Sequence, residues 1–517
     1  MPEVDTHMAA NLGPLNSLLI APVGEPFDEH RLALFLGAIG LVVIVSGLVS
    51  GLVERGPLSQ VLVFVALGVA VGPRGFNVVD LGIDSPMIQS VGTISLVLVF
   101  FTDAVKINLG QLRTQWLLPA LALGPGAVLT ILLIGVAALG LFDLPWSLAF
   151  LIAAVLASTD AILLRDVLNN RHVPRAVRHT LSIEAGANDV IVLPAMLVLA
   201  AIAAHESRSF TDWLEFAFDL YLLGPLVGVA VAYLSIRAMG ALRRHQLVRR
   251  DYESLYSIGV AFVAFAAAQA VGGSGFLAAF AAGITIAVMD EELCDCFLEY
   301  GETTAEMAML VTFVFLGAAL VDSAFDALSL TTLLFALFTL GIARPLSFLL
   351  VLARSRASLA GRLMISWFGP RGLNSLLLTI LAVAAGIPAA ERVFGIVSVV
   401  VLVSILAHGV SATPLLAWYG RRLRQVDLPE EVAADAGTLL NAGDGRLREQ
   451  DVPRLSPAAL KGMLDAGEPV TIVDIRRDAA YDGSGRRIPG SIRIPIDDLL
   501  DRLNEIPRDR PVVLSCA

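Results

Sequence analysis

Apolar stretches long enough to cross a bilayer recur from residue 32 to residue 417, and no other feature constrains the fold of this chain as strongly. Thirteen candidates read off as 32–53, 57–71, 87–105, 116–141, 146–164, 178–203, 214–236, 255–271, 274–289, 304–320, 331–353, 361–386 and 393–417. About 20 apolar residues cross the hydrocarbon as a helix, because a helix bonds its backbone groups within the segment. The second and ninth stretches are short, and Val271-Gly272-Gly273-Ser274 is barely a turn, so twelve spans is the alternative count. The body is expected to be an all-α polytopic membrane protein. Composition agrees: 56% of the 517 residues are hydrophobic and 16% charged, against about 25% charged in soluble chains.

The charges are unevenly spread. Residues 1–425 hold 24 Lys and Arg with 30 Asp and Glu, whereas the shorter remainder holds 12 and 17. The contrast divides the chain into an extracytoplasmic segment (1–31), a transmembrane domain (32–420), a cytoplasmic linker (421–453) and a small α/β segment (454–517). A net charge of −11 gives no footprint for nucleic acid. Three cysteines exclude a disulfide scaffold, and the first 30 residues lack the pattern of a cleaved signal peptide.

Positive charge marks the inner side of a membrane. With the N-terminus outside and thirteen alternating spans, inner connections carry 18 Lys and Arg and outer ones 4. The C-terminal tail is then cytoplasmic. The connection from Asp290 to Glu306 resists, with seven acidic residues and no Lys or Arg on a side expected to be inner.

Ionisable groups at membrane depth are costly and mark candidate functional sites. Asp160, Glu184, Asp189, Arg344 and Arg371 fall well inside spans, and Asp103 sits near the inner end of the third. Glu184 and Asp189 lie five residues apart, about 140° round a helix axis, so they face different partners. Two arrangements are open: each acid pairs with one arginine, or one pair forms and one carboxylate stays free to trade a proton for a cation. Asp160 ends the run Leu156-Ala-Ser158-Thr159-Asp160, and Gly369-Pro-Arg-Gly372 removes a backbone donor in the twelfth span. These two interruptions, in opposite halves of the chain, read as the crossing broken helices of an inverted repeat, where secondary transporters place their ion site. His408 reads as a helix-packing histidine, Cys294-Asp295-Cys296 as free thiols on an acidic connection, and Gly272-Gly273 as a tight turn.

Thr159-Asp160, Glu184-x-x-x-Asn188-Asp189, Ala343-Arg344-Pro345 and Gly369-Pro-Arg-Gly372 stand in an order and spacing that resembles the NhaP/NHE branch of the monovalent cation:proton antiporters, over roughly residues 30–425. The resemblance implies that Asp189 binds either cation or proton, that Asn188 orients the site, and that Thr159 and Asp160 complete a Na⁺ site with Ser158 beside them. It implies an ion pair between Glu184 and Arg344, with Arg371 and Asp103 in support. The implied activity is electroneutral exchange of Na⁺ (or Li⁺ or K⁺) for H⁺ by a homodimer in the lipid of the cell membrane, with no cofactor beyond the transported ions. A K⁺/H⁺ antiporter, or a cation or pH sensor regulated by the tail, is the alternative. Three positions depart from the family pattern: Ala185 where a serine often follows the glutamate, Ala161 where proline is common, and Asp103 in place of a glutamate at the end of the third span.

In the tail, Val473-Asp-Ile-Arg476, Ile488-Pro-Gly-Ser-Ile492 and a strand-like run leading to Cys516 resemble the rhodanese-like family. The sequence stops one residue after that cysteine, without the loop that would cradle a persulfide. Either the sequence is a truncated form of a longer protein or the tail is degenerate, and a regulatory or vestigial part is expected of it, not sulfur transfer.

Overall fold

The computed structural model describes residues 36–37, 39–48, 60–77, 82, 85–107, 117–161, 163–164, 167–168, 173, 175–204, 210–245, 252–355, 357–384, 387–423, 457–467, 469–474, 490–494, 506–507 and 510–515.

 Cys516 lies outside the described residues. The chain divides into two compact units, residues 1–437 and 438–517.

The first unit is helical. In chain order it contains α1 (Ile39–Leu48), α2 (Gln60–Val71), α3 (Pro86–Lys106), α4 (Leu117–Leu141), α5 (Trp146–Ala157), α6 (Val177–Ala203), α7 (Phe210–Arg244), α8 (Glu253–Ala270) and α9 (Gly275–Met289). There follow α10 (Glu291–Ala327), α11 (Leu330–Val351), α12 (Leu359–Trp367), α13 (Leu373–Ala384) and α14 (Ala390–Leu423). Among the described residues, eight helices are long and apolar enough to cross a membrane, and five shorter apolar ones accompany them. Helix α3 lies on α9 and α10, α9 on α7 and α8, α10 on α2 and α14, α5 between α4 and α6, and α13 on α14.

Proline shapes several of these helices. A proline lacks an N–H and its ring collides with the carbonyl one turn back, and a widened turn relieves both. The π turn Ala122–Gly126 contains Pro125, Asp219–Leu223 stops two residues before Pro225, and Thr339–Ala343 stops two before Pro345. The last of these leads directly into Arg344. Where α2 meets α10, Gly68 and Gly317 let the backbones touch, since a Cβ on either would strike the opposite main chain. Gly272 takes a positive φ of 86° in the turn from α8 to α9, as its sequence context predicts.

The acidic stretch after Asp290 corrects one expectation. It is not an open connection but the start of α10, a 37-residue helix that runs about 55 Å at 1.5 Å per residue. That length exceeds a hydrocarbon core of about 30 Å. Asp290 caps the helix by accepting from the Leu293 N–H (2.9 Å), and acidic residues in the first turns suit the positive end of the helix dipole. The basic partner comes from another helix: Arg243 at the end of α7 donates to both Glu253 (2.7 and 3.0 Å) and Asp290 (3.1 Å).

In the second unit, α15 (Pro457–Asp465) precedes a sheet of β1 (Thr471–Asp474), β2 (Ile492–Arg493) and β3 (Val512–Ser515). The order is β2-β1-β3 and both pairings are parallel, with Val473 opposite Ile492 and Leu514. The central strand is buried throughout, and Val473 packs with Ile494 as the small core.

Candidate ion-binding site

The site forms where two helices stop. Helix α5 ends at Ala157, leaving Ser158, Thr159 and Asp160 non-helical, and the path from α12 to α13 is non-helical from Phe368 to Gly372. Each break supplies what the other lacks. Arg371 Nη1 donates to the carbonyls of Ala157 (3.0 Å) and Ser158 (2.9 Å), so a cation closes the C-terminal end of α5. Asp160 Oδ2 accepts from the Leu373 N–H (2.9 Å), so an anion closes the N-terminal end of α13. Both charges match the sign of the helix end they meet. The Asp160 N–H also donates to the Pro370 carbonyl (3.0 Å). Irregular backbone at membrane depth requires such substitute partners. Glycine is required at 372, because a Cβ there would occupy the space of the Asp160 carboxylate.

Helix α14 holds the second break from behind. Ser404 Oγ accepts from the Arg371 N–H (2.7 Å), His408 Nε2 lies 3.1 Å from the Trp367 carbonyl, and the Trp367 indole donates to Ser411 Oγ (3.0 Å). Nδ1 lies 2.9 Å from the Ser404 carbonyl in turn, so each ring nitrogen faces a main-chain acceptor. Positions 404, 408 and 411 share one face of α14, and His408 thus does more than fill space.

Around these breaks the remaining charged groups, Glu184, Arg344 and Asp189, have two kinds of surroundings. Glu184 and Arg344 form a bidentate pair, at 2.9 and 3.1 Å, that ties α6 to α11. Arg344 also donates to the Phe368 carbonyl (3.1 Å) and lies over the Phe348 ring (4.1 Å). The Thr159 hydroxyl donates to Glu184 Oε1 (3.3 Å) and accepts from Asn188 Nδ2 (3.3 Å), which also donates to the Ala157 carbonyl (2.7 Å). Asp189 is surrounded differently. Its Oδ1 accepts from Ser158 Oγ (2.5 Å) and its Oδ2 from Asn374 Nδ2 (2.7 Å). Of the two arrangements open from sequence, the one with a single ion pair and a carboxylate held by neutral donors is the one present.

Asp103 on α3 is buried and packs against Gly186, one turn before Asp189 on α6. An apolar cavity of about 400 Å³ is lined by Ile107, Leu123, Ala187, Val190 and Ile284 among others. Asn374 and Ser404 escaped the sequence reading. Their signal was a polar side chain in an otherwise apolar run, which many serines and asparagines in spans share. The side chains of Cys294, Asp295 and Cys296 lie outside the described residues.

A polytopic helical body with two helix breaks meeting at a buried, arginine-free carboxylate defines a membrane protein of the secondary-transporter class. The chain belongs to the sodium/hydrogen exchanger family, whose transmembrane region it matches over residues 40–418. Residues 456–517 match the rhodanese-like domain. Among similar proteins, the K(+)/H(+) antiporter NhaP of Alkalimonas amylolytica is 27% identical over 438 residues, 84% of this chain and 73% of that one. The K(+)/H(+) antiporter NhaP2 of Shewanella sp. (strain ANA-3) is 29% identical over 396 residues, 75% and 67% of the two chains. The fold is shared with the sodium proton antiporter MjNhaP1 of Methanocaldococcus jannaschii, with a TM-score of 0.62 at 20% identity over 75% of this chain and 99% of the other.

Proposed function

We propose that this chain exchanges one monovalent cation for one proton across the membrane, with Asp189 carrying either. The observation that carries the reading is the contrast at α6: Glu184 is neutralised by Arg344, whereas Asp189 meets only a hydroxyl and an amide. A carboxylate with neutral donors is uncharged as a whole when it binds either H⁺ or one cation, so both loaded forms cross the apolar region at similar cost. Thr159 and Asp160 stand at the same break and complete the cation side, with Asn188 holding the break in place. Arg371 and Arg344 stay protonated and leave one titrating group per cycle. Transport then follows from movement of one bundle of helices against another, which opens the site to each side in turn. Cation and proton are substrates, and the cycle calls for no resident cofactor.

The wider arrangement follows the same reading: thirteen spans, an outer N-terminus and a cytoplasmic tail, α5 and α12–α13 as the crossing pair of an inverted repeat, and a homodimer in the cell membrane. For the ion itself, Na⁺ is the first choice from the motifs. K⁺ is the second, favoured by the K(+)/H(+) activity in the names of the NhaP and NhaP2 relatives. Internal pH in proteoliposomes, followed after jumps of Na⁺, K⁺ or Li⁺ with the membrane potential clamped and unclamped, tests the proposal. Proton movement with one cation, unaffected by the clamp, is the expected result. Cation flux without opposite proton flux would replace exchange by conduction, and no flux in folded protein would favour a sensor.

A further inference from the structure

We propose that Asn374 is a direct member of the exchanging site, presenting the two ends of its amide in turn to the successive states of Asp189. This rests on the reading of Asp189 as the exchanging carboxylate. Asn374 is the second residue of α13 and is 3% exposed. Its Nδ2 donates to Asp189 Oδ2 at 2.7 Å, while its Oδ1, also buried, has no hydrogen-bond partner. A buried acceptor left without a partner costs about 1–3 kcal/mol; Asn188 Oδ1 is left so too, but the Asn188 amide nitrogen meets the Ala157 carbonyl and Thr159, whereas that of Asn374 meets the exchanging carboxylate. Its polar neighbours on α13 bond to main chain instead: Ser375 Oγ donates to the Val155 carbonyl (3.0 Å) and Thr379 Oγ1 to the Ser375 carbonyl (2.8 Å). Asn374 alone among these three turns to the carboxylate.

An amide has what each state of that carboxylate requires. Bare Asp189 needs donors, and Nδ2 is one. A cation seated on Asp189 repels an N–H and needs oxygen, and a half-turn of the terminal torsion brings Oδ1 to the place of Nδ2, because the two ends are nearly equal in size. Protonated Asp189 needs an acceptor for its O–H, and Oδ1 serves again. Ser158, on the other carboxylate oxygen, has the same double capacity through its rotating hydroxyl. Both ligands are neutral, so neither adds a charge to the one that Asp189 brings, and one-for-one exchange is preserved. The inference assigns Asn374 a part in cation affinity and in the choice between cations, since selectivity follows the number and reach of oxygen ligands.

The test uses the full chain in proteoliposomes, with Na⁺, K⁺ and Li⁺ as probes. Asn374→Leu keeps the size and removes both ends of the amide. It should raise the KM of the preferred cation about tenfold and change the ratio of KM values among the three ions. Asn374→Ser restores a donor and acceptor and should recover part of the affinity. Asn374→Asp adds a second charge, and exchange should become sensitive to the membrane potential. If Asn374→Leu leaves KM and ion ratios unchanged, the inference falls. If Asn374→Leu does not insert, an Asn374→Asp protein that keeps wild-type KM and ignores the potential overturns it equally. Asp189→Asn, run in parallel, separates the two readings: exchange surviving there removes the assignment of Asp189 itself.

Discussion

Glu184 and Asp189 lie five residues apart on α6 and are equally hidden, at 1% and 4% exposure, yet they have opposite surroundings. Glu184 is locked to a guanidinium whose Nη2 also donates to the Phe368 carbonyl at the α12 break. Asp189 is held by two neutral groups, each able to reverse its role as donor or acceptor. The difference separates a charge that serves architecture from a charge that serves exchange. Burial is the same in both; what differs is whether the compensating charge is part of the protein or arrives with the substrate.

The largest effects should come from the two carboxylates and differ in kind. Asp189→Asn is expected to abolish exchange while expression, insertion and thermal stability stay near wild type, checked by proteoliposome flux beside a melting curve. Glu184→Ala leaves Arg344 buried without its counter-charge and should cost about 3–5 kcal/mol of stability. If the melting curves of the two variants are alike, the contrast is lost. A smaller effect sharpens the role of the breaks. Gly372→Ala places a methyl group in the space of the Asp160 carboxylate, and should lower the transport rate severalfold through a displaced α13 cap.

His408 offers a still smaller and more selective probe. The amide nitrogen of Gln reaches roughly where Nε2 stands, whereas that of Asn stops near Nδ1. His408→Gln should therefore stay near wild type, and His408→Asn should lose about threefold to tenfold in apparent cation affinity. Equal behaviour of the two would reduce His408 to packing. The least effect is expected at the Lys106–Glu302 pair, whose side chains are each 37% exposed. Lys106→Ala should change stability by no more than about 1 kcal/mol.

Much of this molecule was legible in one dimension. Apolar length and charge scarcity are additive properties of a segment, so helices arise inside every candidate span without knowledge of neighbours. Asp160, Glu184, Asp189, Arg344 and Arg371 stood out because charge at membrane depth is rare. Gly369-Pro-Arg-Gly372 announced a break because proline lacks an N–H wherever it stands. The acidic start of α10 was misread as a connection, since its basic partner, Arg243, comes from α7, 47 residues away from Asp290.

What only the tertiary structure decided was partnership. Which acid met Arg344, that Arg371 closes α5 while Asp160 closes α13, and that Asn374 and Ser158 grip Asp189 all depend on pairs separated by 31 to 214 residues. The reason is physical. Hydrophobicity acts on each segment through its own surface, and the sequence carries it locally. Hydrogen bonds and ion pairs act over about 3 Å, so their assignment exists only once the helices have packed and brought distant side chains within that reach.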